Sequence, residues 1–213
     1  MSTLASAAAA VLAAARAMNA SGINRGTAGN VSTRAGEHSF LITPTGMDYS
    51  EMEANDIVPM RLDGSWQGLR KPSSEWRFHR DIYVVRPEVG AVIHTHSPFA
   101  TTLACMGCDV PPFHYMIARF GGKDVRCAAY ATFGSQELSD AALVALQGRS
   151  ACLLAHHGMI VCGKDLKQAL ALAVELEALC EQYWRVLQIG GPKLLDDAEM
   201  ARVLEKFAGY GQH

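Results

Sequence analysis

Between Leu166 and Leu187 the positions Leu166, Leu170, Ala173, Leu176, Cys180, Trp184 and Leu187 recur every three or four residues, which predicts one long amphipathic helix. A stripe of that length needs a broad apolar surface to cover it, and the chain supplies one just upstream. Cys152 to Ala155 and Met159 to Cys162 are apolar runs too short for helices. Separated by His156-His157-Gly158, they predict two strands joined as a hairpin.

Further strands extend that sheet. Val89 to His96 is β-branched and is followed by Ser97-Pro98, a cap and a proline suited to a first helical turn. Asn30 to Arg34 and Ser39 to Thr43 alternate in polarity around Ala35-Gly36-Glu37-His38 and predict a second hairpin. Ile57 to Leu62 is a strand closed by Asp63-Gly64, and Val125 to Tyr130 is extended. Helices are expected from Ser2 to Met18, stopped at Gly22, and from caps at Ser73 or Ser74 through Val85 to Pro87. Two more run from Ser135 or Ser139 to Leu146 and from Asp196 to Phe207, while Tyr115 to Phe120 is too short to assign. Strands joined by hairpins yet interleaved with helices predict an α/β single domain over residues 1–213, with a central mixed, mostly antiparallel β-sheet flanked by helices.

With 49% hydrophobic and 19% charged residues the chain can bury a full core, which excludes disorder. Its net charge of -2 provides no basic field for nucleic acid or an anionic membrane. The Ala-rich start, Met1 to Ala20, lacks a basic leading segment and is short for a bilayer span, so it predicts an opening helix and neither export nor membrane insertion. Six cysteines in mostly apolar surroundings fit reduced core thiols in a cytoplasmic protein. Cys105 and Cys108 form a single C-x-x-C, and a zinc ribbon needs two.

The chemistry concentrates in a few places. His94 and His96, at i and i+2 near the end of a strand, share one face about 7 Å apart and can meet at one ion, although an H-x-H alone also suits a solvated strand. A third histidine at the hairpin tip, His156 or His157, strengthens a metal reading, since catalytic zinc sites combine three protein ligands with an open position. Glu75, in the first turn of its helix, is a fourth candidate, or simply a carboxylate favoured by the macrodipole. Three polar turns, Gly26-Thr27-Ala28-Gly29-Asn30, Thr43-Pro44-Thr45-Gly46 and Ser73-Ser74, offer N–H groups, hydroxyls and an amide. Such turns hold phosphate without a lysine cluster, and no P-loop pattern is present. A phosphorylated substrate is the expectation.

These segments, with Pro72-Ser73-Ser74-Glu75-Trp76-Arg77-Phe78-His79, His114-Tyr115-Met116-Ile117-Ala118 and Tyr130-Ala131-Thr132-Phe133-Gly134, occur in an order that resembles class II, metal-dependent aldolases, especially those cleaving L-fuculose 1-phosphate. The resemblance runs from Asn24 to Tyr210. It implies a divalent ion, usually Zn2+ with Mn2+ or Co2+ as alternatives, held by His94, His96 and His157 with Glu75 beside it. It implies a phosphate held by Asn30, Thr45, Gly46, Ser73 and Ser74, with Thr27 and Gly29 shaping the turn. Tyr115 and Tyr210 match tyrosines delivered into an adjacent subunit's pocket, hence a homotetramer with interfacial sites. The implied activity is reversible cleavage of a ketose 1-phosphate such as L-fuculose 1-phosphate into dihydroxyacetone phosphate and a short aldehyde such as L-lactaldehyde. In it Glu75 shuttles the C3 proton and Tyr115 exchanges one with the C4 oxygen.

Within the same fold the alternatives are a 5-deoxyribulose-1-phosphate or 5-methylthioribulose-1-phosphate aldolase, a pentulose-5-phosphate 4-epimerase and a methylthioribulose-1-phosphate dehydratase. Adducin-type scaffolds lack the ligands that this chain keeps. One departure stands out: Arg119-Phe120 replaces small residues before Gly121-Gly122, and if that segment enters the neighbour's pocket its bulk and charge reshape the aldehyde pocket. Phe133 and Phe207 are candidates for that pocket, whereas His79 and His114 are not expected as ligands.

Overall fold

The computed structural model describes residues 3–209. The elements are α1 (Thr3–Ala20), β1 (Asn30–Gly36), β2 (Ser39–Ile42), β3 (Val58–Arg61), α2 (Trp76–Val85), β4 (Ala91–Thr95), α3 (Pro98–Cys105), β5 (Arg126–Ala128), α4 (Gln136–Ala145), β6 (Ala151–Leu154), β7 (Gly158–Gly163), α5 (Leu166–Gln188) and α6 (Asp197–Ala208). Short 3-10 turns add Ala54–Asp56 and Tyr115–Phe120.

Seven strands form one sheet in the order β3-β2-β1-β4-β7-β6-β5. Every neighbouring pair is antiparallel except β5 with β6, so the sheet is mixed and mostly antiparallel, as expected. Because strand side chains alternate, Val31, Ile93, Leu153 and Val161 pack towards α1, α3, α5 and α6, while Phe40, Val92, Leu154 and Ile160 pack under α2 and α4. All of β4 is buried, covered on both faces, and this central strand carries His94. The long helix meets the β6–β7 hairpin as its periodicity requires, with Ala169, Leu172, Ala173, Leu176 and Cys180 buried.

Several expected boundaries shift for local reasons. Ser73 and Ser74 do not cap α2, because Ser73 Oγ accepts the Glu75 N–H at 3.3 Å and the Ser73 N–H goes to the Thr43 carbonyl at 3.0 Å. Glu75 itself takes the N-cap place, with its carboxylate turned away from the helix end. Ser135 is the cap of α4, accepting the Leu138 N–H at 3.1 Å. Ser139 is buried and donates to Asp81 at 2.6 Å, tying α4 to α2. The extended stretch at Val125 yields only a three-residue edge strand. All six cysteines are free, and no helix among the described residues is long and apolar enough to cross a membrane.

Candidate metal centre and active-site cleft

The sheet register places the site. Asn30 of β1 and Ile160 of β7 lie opposite His94, and Thr95 pairs with Met159. His94 shares the α2-facing side of β4 with Val92, and Phe78 packs edge-on against its ring. The His94 ring nitrogen Nδ1 lies 2.9 Å from the Met159 carbonyl, which can only accept, so Nδ1 carries the hydrogen and, in the neutral tautomer, the lone pair is at Nε2.

Three further donors converge on that lone pair. His96 Nε2 is 3.0 Å from His94 Nε2, Glu75 Oε2 is 3.2 Å from it, and His157 Nε2 is 3.2 Å from Glu75 Oε1. All four groups place a ligand atom within 4.8 Å of the others. Glycine makes this approach possible: a Cβ on Gly158 would stand 2.6 Å from the Thr95 carbonyl and 3.0 Å from the His96 ring. A Cβ on Gly29 would stand 2.6 Å from the His94 carbonyl, which explains the glycine where β1 closes on β4. His156 takes a left-handed φ of 56°, and the reversal sends it and His157 different ways. His157 joins the cluster, whereas His156 is exposed, edge-on to Tyr130 at 5.9 Å. The choice the residues left open therefore falls on His157.

The electrostatics suit a cation. Burial alone would push the Glu75 carboxyl up, but the His94 and His157 imidazoles beside it outweigh that and hold it well below the usual carboxylate range. Burial, with His94 and His157 alongside, pushes His96 down to about 4, so at neutral pH its ring is uncharged. Among the described residues Glu75 Oε1 is a buried oxygen that receives no hydrogen bond. Three imidazole nitrogens and an orphaned carboxylate oxygen around one point are a donor set that fits a borderline dication such as zinc. An ion there acts as a Lewis acid, with a carboxylate beside it able to move protons.

Beside the cluster opens a cleft of about 290 Å³, lined by Ser74, Glu75, His96 and His157 and walled by Ala28, Tyr130, Ala131, Phe133 and His156. Ser74 therefore reaches the site, and Phe133 lines it as expected. Thr45, Gly46 and Ser73 lie in two turns stitched side by side, with the Thr45 N–H on the Lys71 carbonyl at 3.1 Å. Those bonds consume the Thr45 and Ser73 backbone donors and leave the exposed Thr45 and Ser74 hydroxyls. Asn30 is buried, and its amide N–H donates to Glu75 Oε2 at 3.0 Å. Tyr115 does not line the cleft. It borders a separate groove of about 1220 Å³ with His114 and Phe207, so Phe207 is not at this chain's cleft either. Tyr210 lies outside the described residues. Phe120 is fully buried in the core, and Arg119 pairs with Glu175 at 2.9 Å, so neither enters this cleft. Tyr130 and His156 were missed as wall residues, because the left-handed turn at His156 and the fold that sets Tyr130 against it leave no local mark in the sequence. His79 lies outside the cluster, fully buried one hydrogen bond behind Asn30.

Comparison with known proteins places this geometry. The family described as Class II Aldolase and Adducin N-terminal domain matches residues 9–184. The chain is 59% identical to the 5-methylthioribulose-1-phosphate/5-deoxyribulose-1-phosphate aldolase of Rhodospirillum rubrum, covering 94% of this chain and 90% of that one. It is 46% identical to the L-fuculose phosphate aldolase of Escherichia coli strain K12, covering 89% and 88%. A solved L-fuculose 1-phosphate aldolase superposes with a TM-score of 0.93 at 38% identity over 98% of both chains. With its ordered motifs, its seven-stranded mixed sheet and its histidine–glutamate cluster, the chain belongs to the class II aldolase family.

Proposed function

We propose that this aldolase cleaves the C3–C4 bond of a 5-deoxypentulose 1-phosphate whose C5 bears hydrogen or a methylthio group. The products are dihydroxyacetone phosphate and acetaldehyde or methylthioacetaldehyde. The observation that carries the reaction is the Glu75 carboxylate set among three convergent imidazoles at the floor of a cleft. The substrate choice is supported by the 59% identity to an aldolase named for these two ketose phosphates, and by the apolar wall of Ala28, Ala131 and Phe133. L-fuculose 1-phosphate is the second reading, supported by 46% identity to an aldolase of that name.

Breaking the C3–C4 bond leaves an electron pair at C3 that is tolerable only when spread onto the C2 oxygen. A divalent ion, zinc in this proposal, would be held by His94, His96, His157 and Glu75 and would supply the polarisation that makes a lysine Schiff base unnecessary. Glu75 returns a proton to C3. Thr45, Gly46, Ser73 and Ser74, with the second amide N–H of Asn30, hold the phosphate and so fix the orientation of the reacting carbons. Tyr115, and Tyr210 from the C-terminal segment, serve the C4 oxygen of a neighbouring subunit in a homotetramer. This suits the half-exposed Tyr115 ring, which lies away from its own chain's cleft. Six free thiols support a reducing, cytoplasmic setting.

A panel of 5-deoxyribulose, 5-methylthioribulose and L-fuculose 1-phosphates, with released dihydroxyacetone phosphate as the readout, tests the proposal. The two 5-deoxy substrates are expected to show kcat/KM about 10-fold or more above L-fuculose 1-phosphate, since the latter brings an extra hydroxyl to an apolar wall. A preference for L-fuculose 1-phosphate would reverse the substrate choice. Appearance of a 4-epimer or a dehydrated product without dihydroxyacetone phosphate would remove the lyase reading.

A further inference from the structure

Behind the cluster a buried line of polar groups runs back from Glu75 and Asn30 through three residues that the reaction as proposed does not use. Tyr83 Oη lies 2.8 Å from Ser32 Oγ, which lies 2.7 Å from His79 Nδ1. On the other side of the ring, His79 Nε2 is 2.5 Å from Asn30 Oδ1, and Asn30 Nδ2 is 3.0 Å from Glu75 Oε2. All five residues are buried. Two periodicities interlock to build the line. Glu75, His79 and Tyr83 recur every fourth residue at the start and along one face of α2, while Asn30 and Ser32 are alternate residues on one face of β1.

The direction of every proton in the line follows from the groups themselves. An ionised Glu75 only accepts, so the Asn30 amide must turn its N–H to Oε2 and its carbonyl to His79. The reverse amide orientation would set a carbonyl oxygen against a carboxylate oxygen. His79 Nε2 therefore carries the hydrogen, and burial keeps this ring neutral, with its pKa pushed down to about 3. Its Nδ1 must then accept from Ser32, which in turn accepts from Tyr83. Each bond constrains the next, and a fully satisfied buried network of this kind has one arrangement.

We infer that His79 is a positioning residue which, through Asn30, tethers Oε2 of Glu75 and so fixes the carboxylate that exchanges the substrate proton. Oε2 is tethered by Asn30 and faces His94, whereas Oε1 receives no hydrogen bond and lies beside His157. Without the His79 N–H, the Asn30 amide loses the partner that fixes its orientation, and the Glu75 carboxylate loses its tether. The inference rests on the aldolase reading, so its test begins with a step that checks that reading separately.

The step to measure is exchange of the C3 proton of dihydroxyacetone phosphate with deuterium oxide, followed by NMR on the zinc-loaded protein. No aldehyde is present, so only the proton transfer is read. Wild-type protein is expected to exchange it, and failure to do so would remove the aldolase reading and this inference with it. His79→Phe, which retains a ring to stack on Phe78, is expected to slow exchange by about 10–100-fold. Its KM for dihydroxyacetone phosphate should stay within about threefold, and elemental analysis should still find one ion per chain. His79→Gln, whose amide N–H can meet Asn30, is expected to recover most of the lost rate. Wild-type exchange in His79→Phe would overturn the inference. So would a loss accompanied by loss of the ion and not recovered by Gln, the signature of a merely structural role. Should His79→Phe not fold, Ser32→Ala removes the hydroxyl on Nδ1 and keeps the ring. It is expected to slow exchange at least about threefold, and an unchanged rate there would overturn the inference.

Discussion

Glu75→Gln is expected to lower kcat for ketose-phosphate cleavage by about a thousandfold while one divalent ion per chain remains bound, because a positioned general acid/base contributes roughly 10²–10⁴-fold. The substitution conserves shape, so the packing at the head of α2 is undisturbed. Asn30 donates to Oε2, and the only Gln atom able to accept there is the amide oxygen. Its NH2 group then occupies the place of Oε1, next to His157, where it can neither take a proton nor give one up at useful cost. The three imidazoles still hold the ion, so KM should change little. Steady-state kinetics with elemental analysis on the same sample check this. Wild-type turnover in Glu75→Gln would remove Glu75 from the proton transfer.

Loss of a ligand histidine has the second large effect. His96→Ala is the informative case, since His94 is wholly buried and its removal would also open a cavity, whereas His96 sits where β4 ends. Activity should fall below detection, roughly 10⁴-fold or more, because both the polarising ion and the geometry built on it are gone. A stability measurement separates this from misfolding. A ligand that binds only the folded state adds RT ln(1 + [L]/Kd), about 4 kcal/mol at a thousand times Kd. Wild-type protein should therefore melt later when zinc is added and earlier with a chelator. His96→Ala should melt like chelated wild-type protein in both conditions. A zinc-dependent rise of wild-type size in His96→Ala would show that His96 is not a ligand.

What the sequence revealed follows from which signals are local. The period of α5, the β6–β7 hairpin and the H-x-H on β4 are read within one element, and each was legible. The mixed sheet followed from hairpins alternating with helices, although the parallel pairing of the short β5 with β6 depends on a partner 26 residues away and left no mark on its own segment. Ser73 looked like a helix cap because serine before a helix usually is one. Here its donor and acceptor were claimed by the Thr43 turn and by Glu75, a contest that only the fold decides. The same holds at His156 and His157, where one left-handed residue separates the member of the cluster from the cleft wall.

Site residues were legible as types more than as partnerships. Histidines and a carboxylate announce a candidate cation site from sequence alone. The link from Asn30 to His79 was not legible, since it joins a strand face to a helix face 49 residues apart. Arg119-Phe120 stands out in the sequence for bulk and charge, and in the fold Phe120 fills the core and Arg119 is paired with Glu175, so neither enters the cleft of its own chain. Tyr130, Ala131 and Phe133 wall the cleft instead, in a segment held near the site by Gly134. A Cβ on Gly134 would stand 2.8 Å from the Ser74 carbonyl, and the Gly134 carbonyl accepts from Arg77 at 2.6 Å.

The most direct test is anomalous diffraction at the zinc edge from crystals of the wild-type protein grown with Zn2+. One strong peak per chain is expected between the Nε2 atoms of His94, His96 and His157, beside the Glu75 carboxylate. Those four side chains in place with no peak among them, or the peak lodged elsewhere on the chain, would contradict it.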